Sequence, residues 1–136
     1  MIMEMKIIRK NGSSQSYVVK GAKMKCNFGD KESSLAPVDH GVYINDKPQA
    51  NIMDFKPNSN IKPFGKCRSM ANPTVAAATA ANKGRLKKMP CKPVITSPWI
   101  SGKTDTHVDN SPALVNKSTN MCMWCGRITI TDDGQD

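Results

Sequence analysis

The chain has 136 residues, a net charge of +9, 38% hydrophobic residues and only 5% aromatics. That length suits one domain, but the apolar material is thin for an ordinary core, so the fold calls for help from disulfides, metal or a partner. No apolar run is long enough to span a bilayer as a helix, and nine Gly with nine Pro argue for turns over long helices.

Residues 1–16 read as an N-terminal extension. Met1 to Arg9 has strand character, and Asn11-Gly12-Ser13-Ser14 is a turn or joint. Glu4 and Lys6 interrupt any signal-peptide core and no small-residue cleavage site follows, which predicts folding in a reducing cytoplasm. The domain proper, residues 17–136, opens with strand-type Tyr17-Val18-Val19 and the alternating Lys23-Met24-Lys25-Cys26, followed by a turn at Asn27-Phe28-Gly29-Asp30. Val42-Tyr43-Ile44 predicts a strand, Asn45-Asp46-Lys47-Pro48 a turn, and Ala50 to Met53 the return strand of a hairpin. One helix is expected: Asn72 as its N-cap, Pro73 in first position, the Ala-rich run to Ala81, and Gly84 at its end. It reads as a packing spacer between two halves. Short strands follow at Cys91 to Ile95, His107-Val108, Ala113 to Val115 and Arg127 to Thr131.

A degenerate repeat links the halves. Val42-x-Ile44-Asn45-Asp46-x-Pro48-x-Ala50 resembles Val108-Asp109-Asn110-Ser111-Pro112-Ala113-Leu114, and a Cys stands before and after each. The expected fold is therefore mainly β, with short hairpins, one short central helix and a pseudo-twofold internal repeat. The four bracketing residues, Cys26, Cys67, Cys91 and Cys122, are the candidate metal ligands. Two related halves giving two thiolates each would form one soft, four-coordinate site suited to zinc, with iron as the weaker alternative. A closed site of that kind is structural and would staple the fold. Two other readings stand beside it. The five cysteines would be plain buried thiols, or Cys122-Met123-Trp124-Cys125 would be a redox pair, against which the strand-type sequence after it argues. His40 and His107 are either substitute ligands or ordinary turn residues. No phosphate-binding Gly loop and no acid pair at a useful spacing appears, which predicts no enzymatic activity.

Several separate runs carry a resemblance. They are Val18 to Cys26 with Gly29, Ile61-Lys62-Pro63-Phe64-Gly65-Lys66-Cys67, Asn72-Pro73, Cys91-Lys92-Pro93, Pro98-Trp99, Ser111-Pro112-Ala113-Leu114, Cys122-Met123-Trp124 with Gly126, Ile128 and Ile130, and Gly134-Gln135. In this order they resemble the PAAR-like proteins, named for a proline-alanine-alanine-arginine repeat. Lys47-Pro48-Gln49-Ala50 and Ser111-Pro112-Ala113-Leu114 are degenerate copies of that repeat. The resemblance implies a compact, metal-stapled cone that caps the spike of a type VI secretion system or a related contractile injection machine. It implies a trimeric spike protein of the valine-glycine repeat type as partner, effectors as passengers, transient membrane contact during injection, and a monomer until docked. It also implies assembly in the bacterial cytoplasm and export with the spike rather than by a signal peptide. Cys125 departs from the family pattern, in which Gly is commoner there. The competing class is a zinc-stabilised nucleic-acid-binding module, suggested by the charge and the cysteines. Against it, Trp99 and Trp124 lie far from the densest basic group, Lys83, Arg85, Lys87 and Lys88, so base stacking would lack partners.

Overall fold

A computed structural model describes residues 8–10 and 13–135. Expectations for residues 1–7 and for the Asn11-Gly12 turn lie outside the described residues. No helix among those described is long and apolar enough to cross a membrane.

The protein is mainly β, with one short helix and several small antiparallel sheets. Strands β1 (Ile8–Lys10) and β2 (Ser13–Gln15) pair with each other. A four-stranded sheet has the order β11 (Thr119–Met121), β12 (Arg127–Asp132), β3 (Lys23–Cys26), β4 (Ser33–Ser34). Three further pairs are β5 (Tyr43–Ile44) with β6 (Lys47–Pro48), β7 (Lys66–Cys67) with β8 (Met89–Pro90), and β9 (Lys103–Val108) with β10 (Ser111–Ala113). In β3 the polar and apolar residues alternate as expected, with Met24 and Cys26 buried and Lys23 and Lys25 exposed.

Both turns of the repeat form, in one geometry. Asn45 and Asp46 have φ of 51° and 65°, and Asp109 and Asn110 have 55° and 67°. Two successive left-handed residues make the tight hairpin turn whose twist matches the strands, and Asn and Asp tolerate that conformation. The first hairpin is tighter than the sequence suggests: Ile44 pairs Lys47 directly, so Lys47-Pro48 is the return strand and Ala50 to Met53 lies beyond it.

Beyond the hairpins the structure holds something the sequence repeat does not announce. Residues 16–20, 48–52 and 112–116 close a ring. Val18 N–H donates to Leu114 C=O at 3.0 Å, Leu114 to Ala50 at 3.1 Å, and Ala50 back to Val18 at 2.9 Å. A second cycle repeats this two residues out: Lys20 donates to Pro48 at 2.9 Å, Ile52 to Pro112 at 3.0 Å and Asn116 to Ser16 at 3.0 Å. The bridges Val19 to Gln49, Asn51 to Ala113 and Val115 to Tyr17 sit between them. Each segment thus stands to the next as that one does to the third, which is approximate threefold symmetry. The expected pseudo-twofold repeat is two members of this set. The third is Ser16-Tyr17-Val18, so the boundary at residue 16 cuts through a ring segment, and β1–β2 precedes it as the other two hairpins precede theirs.

Strand alternation divides the interior at the ring. Val18, Ala50 and Leu114 face the larger core cluster, with Met24, Leu35, Ile61, Phe64, Trp99, Cys122 and Ile128. Tyr17, Val19, Ala113 and Val115 face a smaller one with Ile44 and Val108. The hairpin end and the cysteine-bearing end therefore lie on opposite faces of the ring.

The helix α1 (Pro73–Ala81) leaves between Cys67 and Cys91 as an excursion from the β7–β8 pair. Asn72 caps it by accepting from Thr74 N–H at 3.0 Å, and Pro73 occupies the first turn, as expected. Gly84, with φ of 77°, returns its N–H to Thr79 C=O and so closes the C-terminal end. Only Val75 and Thr79 of this helix are buried.

His40 braces the hairpin end. Its Nε2 lies 2.9 Å from Asp54 Oδ2 and its Nδ1 lies 3.0 Å from Asp109 Oδ2, with the histidine side chain 8% exposed. Burial opposes charge on this ring. The hydrogen bonds to Asp54 and Asp109, with the charges of the two carboxylates, outweigh it and hold the pKa above the usual value. A raised folded pKa contributes stability that is fully present below the unfolded value near 6.5 and lost as pH rises through the folded one. The stability difference between wild type and His40→Gln should therefore shrink as pH rises from about 6 to 8, read from urea unfolding at each pH. A constant difference would show that charge on His40 contributes nothing.

Candidate metal centre

The four bracketing cysteines meet at the end of the larger core. Cys26 ends β3, Cys67 ends β7, Cys91 follows β8 and Cys122 follows β11. All four line one cavity of about 10 Å³ together with Phe28, Phe64, Pro93, Trp124 and the backbone of Gly29 and Gly126. That volume admits about one water-sized occupant. No nitrogen- or oxygen-bearing side chain except the Trp124 indole borders it, and that indole N–H donates to Lys92 C=O at 3.3 Å. A water there would find only weak sulfur partners.

Cys26, Cys67 and Cys122 are 7%, 5% and 8% exposed, and Cys91 is half-buried. Burial pushes the Cys26 and Cys91 thiols up, and repulsion from the neighbouring sulfurs adds to it. Backbone N–H groups of Phe28 and Gly29 at Cys26, and of Phe64 at Cys91, pull the other way. Ser69 N–H donates to Cys67 Sγ and Val94 N–H to Cys122 Sγ, each at 3.4 Å. Every one of the four sulfurs thus receives a backbone donor, the outer support that a buried thiolate needs.

By donor chemistry this set fits a soft, four-coordinate cation. The side chains as they stand are not drawn in: among the described residues no three His, Cys, Asp or Glu groups already share a metal-holding geometry. All five cysteines are free. Cys125 stands apart. It is exposed, its φ is 68°, and its N–H closes a tight turn on Cys122 C=O at 3.0 Å. Neither histidine lines the cavity. His40 is committed to its two aspartates, and His107 is exposed on β9 opposite Pro112.

Two glycines matter here that composition alone does not reveal. A Cβ at Gly126 would stand 2.6 Å from Cys26 Sγ, and one at Gly29 would stand 2.6 Å from Phe64 Cβ. Gly126 lets backbone approach the Cys26 thiol, and Gly29 lets it approach Phe64, more closely than any other residue permits. The only sequence signal is their spacing, three residues after Cys26 and four after Cys122.

The family described as "Domain of unknown function (DUF4280)" matches residues 18–135. The chain belongs to that family. No curated protein and no solved structure matches it significantly.

Two substitutions follow from the packing. Gly126→Ala should cost roughly 1–3 kcal/mol, the usual range for overfilling a packed site, measured by chemical unfolding. Cys125→Gly should leave stability equal or slightly higher, because Gly bears no penalty at positive φ. A destabilised Cys125→Gly would mean that the exposed thiol has a structural partner.

Proposed function

We propose that this chain is the non-enzymatic tip of the spike of a bacterial contractile injection system, of the type VI secretion kind, and that its family is PAAR-like. The observation that carries the reading is the approximate threefold ring. A single chain has no need of threefold symmetry for its own sake. A monomer that must seat on the end of a homotrimer gains from three nearly equivalent faces, because each subunit then meets similar backbone and similar side chains. The ring supplies three such segments, each following a hairpin on the face away from the cysteines. Strand edges there would extend the spike's own strands by main-chain pairing.

The degenerate proline-containing copies support the same reading, since Lys47-Pro48-Gln49-Ala50 and Ser111-Pro112-Ala113-Leu114 are two of the three ring segments. Proline fits there because the ring uses only its carbonyl. A lack of catalysis agrees with a buried histidine whose ring nitrogens are both engaged and with a thiol cavity that no base borders.

In this reading Cys26, Cys67, Cys91 and Cys122 hold one structural ion, zinc before iron. The ion would join four separate chain segments where the core is thin, and its affinity would become folding free energy. Purified protein should contain one metal per chain by elemental analysis. Serine at any of the four positions should lose it and lower the unfolding temperature severely, whereas Cys125→Ser should keep it. A fully folded, metal-free sample would remove the staple from the proposal.

The docking prediction is stoichiometric. One chain should bind one trimer of the cognate valine-glycine repeat spike, by native mass measurement, and the complex should survive moderate salt because packing and main-chain pairing dominate. A three-to-three complex, or none with an intact trimer, would count against the tip assignment.

A further inference from the structure

The charge of the chain is segregated. Ten Lys and Arg lie between residues 55 and 104, half of the total of twenty, and no Asp or Glu lies among them. The fold gathers much of this stretch around the thiol end. Lys66 sits on β7, next to Cys67, and Lys92 follows Cys91. Arg68 donates to Asn27 C=O at 2.7 Å, and Arg127 N–H donates to Asn27 Oδ1 at 2.7 Å. The connection after α1 carries Lys83, Arg85, Lys87 and Lys88, and every residue from 80 to 88 is exposed. Its backbone is nonetheless fixed: Lys87 N–H donates to Thr79 Oγ1 at 3.0 Å, and Asn82 Nδ2 donates to Arg85 C=O at 3.1 Å. Asp30, which accepts from Lys66 N–H, is an acid beside this face.

Exposed apolar side chains are interleaved with the cations. Leu86 is 50% exposed between Arg85 and Lys87, and Met70, two residues from Arg68, is 55% exposed. Met121 and Met123 flank Cys122 at 56% and 60%. Long cationic side chains beside flexible apolar ones are the composition that lies in a lipid headgroup layer: ammonium and guanidinium groups meet phosphates while Leu and Met enter the acyl boundary. A nucleic acid would ask for exposed aromatic rings to stack on, and of the two tryptophans Trp99 is buried and Trp124 is committed to the thiol cavity.

We propose that the thiol end, with the 80–88 connection at its side, is a binding surface for anionic phospholipid bilayers. The surface acts in the isolated chain and does not depend on the spike reading.

The test is flotation of the full chain with vesicles of phosphatidylcholine alone and with about 30 mol% phosphatidylglycerol, where each cation near the surface contributes about fivefold in affinity. Binding should require the anionic lipid and fall steeply as salt rises from about 0.05 M to 0.5 M. The combined change Lys83→Gln, Arg85→Gln, Lys87→Gln and Lys88→Gln should weaken it on the order of several hundredfold with the unfolding temperature unchanged, since these side chains are exposed. Leu86→Ser should weaken it severalfold while retaining the salt dependence. Equal binding to neutral vesicles, no binding to anionic ones, or a quadruple variant that binds as wild type would overturn the proposal. So would tighter binding to a DNA duplex or an RNA strand that anionic vesicles fail to displace. Failure of the chain to bind a spike trimer would leave this result unaffected, and the reverse holds equally.

Discussion

Six backbone hydrogen bonds in two closed cycles join residues 16–20, 48–52 and 112–116. Each is worth only about 0.5–1.5 kcal/mol net, but a buried N–H or C=O left without its partner costs more than a formed bond gains. Because the cycles close on themselves, no single segment can shift without orphaning groups on both neighbours. Val18, Ala50 and Leu114 are fully buried at the centre, so water cannot stand in for a lost partner. The rest of the molecule is arranged around this constraint. The alternation of side chains above and below the ring sets which residues join which core cluster, and the hairpins that carry Ile44 and Val108 are delivered to one face.

The other end is built from different material. Past Met24, Phe64 and Trp99 the packing gives way to four sulfurs around a space of about one atom. Backbone amides donate to those sulfurs, and Gly126 stands where a side chain would collide with Cys26 Sγ. These features cost the chain something if the thiols were mere filler: a Leu or Val would bury more apolar area at each position, and Gly weakens the local backbone. A donor set, outer hydrogen bonds and steric clearance are the features that the proposed ion would use.

Much of this was legible in the sequence where the signal is local. Asn72-Pro73 placed the helix start because capping uses a side chain two residues from its donor. Asn45-Asp46 and Asp109-Asn110 marked turns because few residue types accept positive φ. The bracketing of both turns by cysteines picked out four thiols that the fold does gather around one cavity. The ring was only two-thirds visible. Pro48 and Pro112 mark two segments, but the corresponding position in the third is Ser16, whose N–H bonds to Asn116 Oδ1, so nothing in its composition matches. Residues 1–16 read as an extension because Asn11-Gly12-Ser13-Ser14 has the composition of a joint and strand-type residues begin at Tyr17. The role of Gly126 was hidden although the residue belongs to the resembling runs, because it lies in a contact with Cys26, a hundred residues away in sequence.

The two ends also differ in how their strength is supplied. Ring bonds need only the backbone and are complete once the chain has folded. The thiol end presents donors whose charged form is disfavoured by their own burial, so its full strength would wait on a cation that replaces the thiol protons. Basic residues also flank the thiol end. Arg68 lies 6.0 Å from the Phe28 ring centroid, and Lys66 and Lys92 neighbour two of the four cysteines in sequence. If the four sulfurs hold an ion as proposed, the ring end would be complete on folding and the thiol end only once that ion is bound.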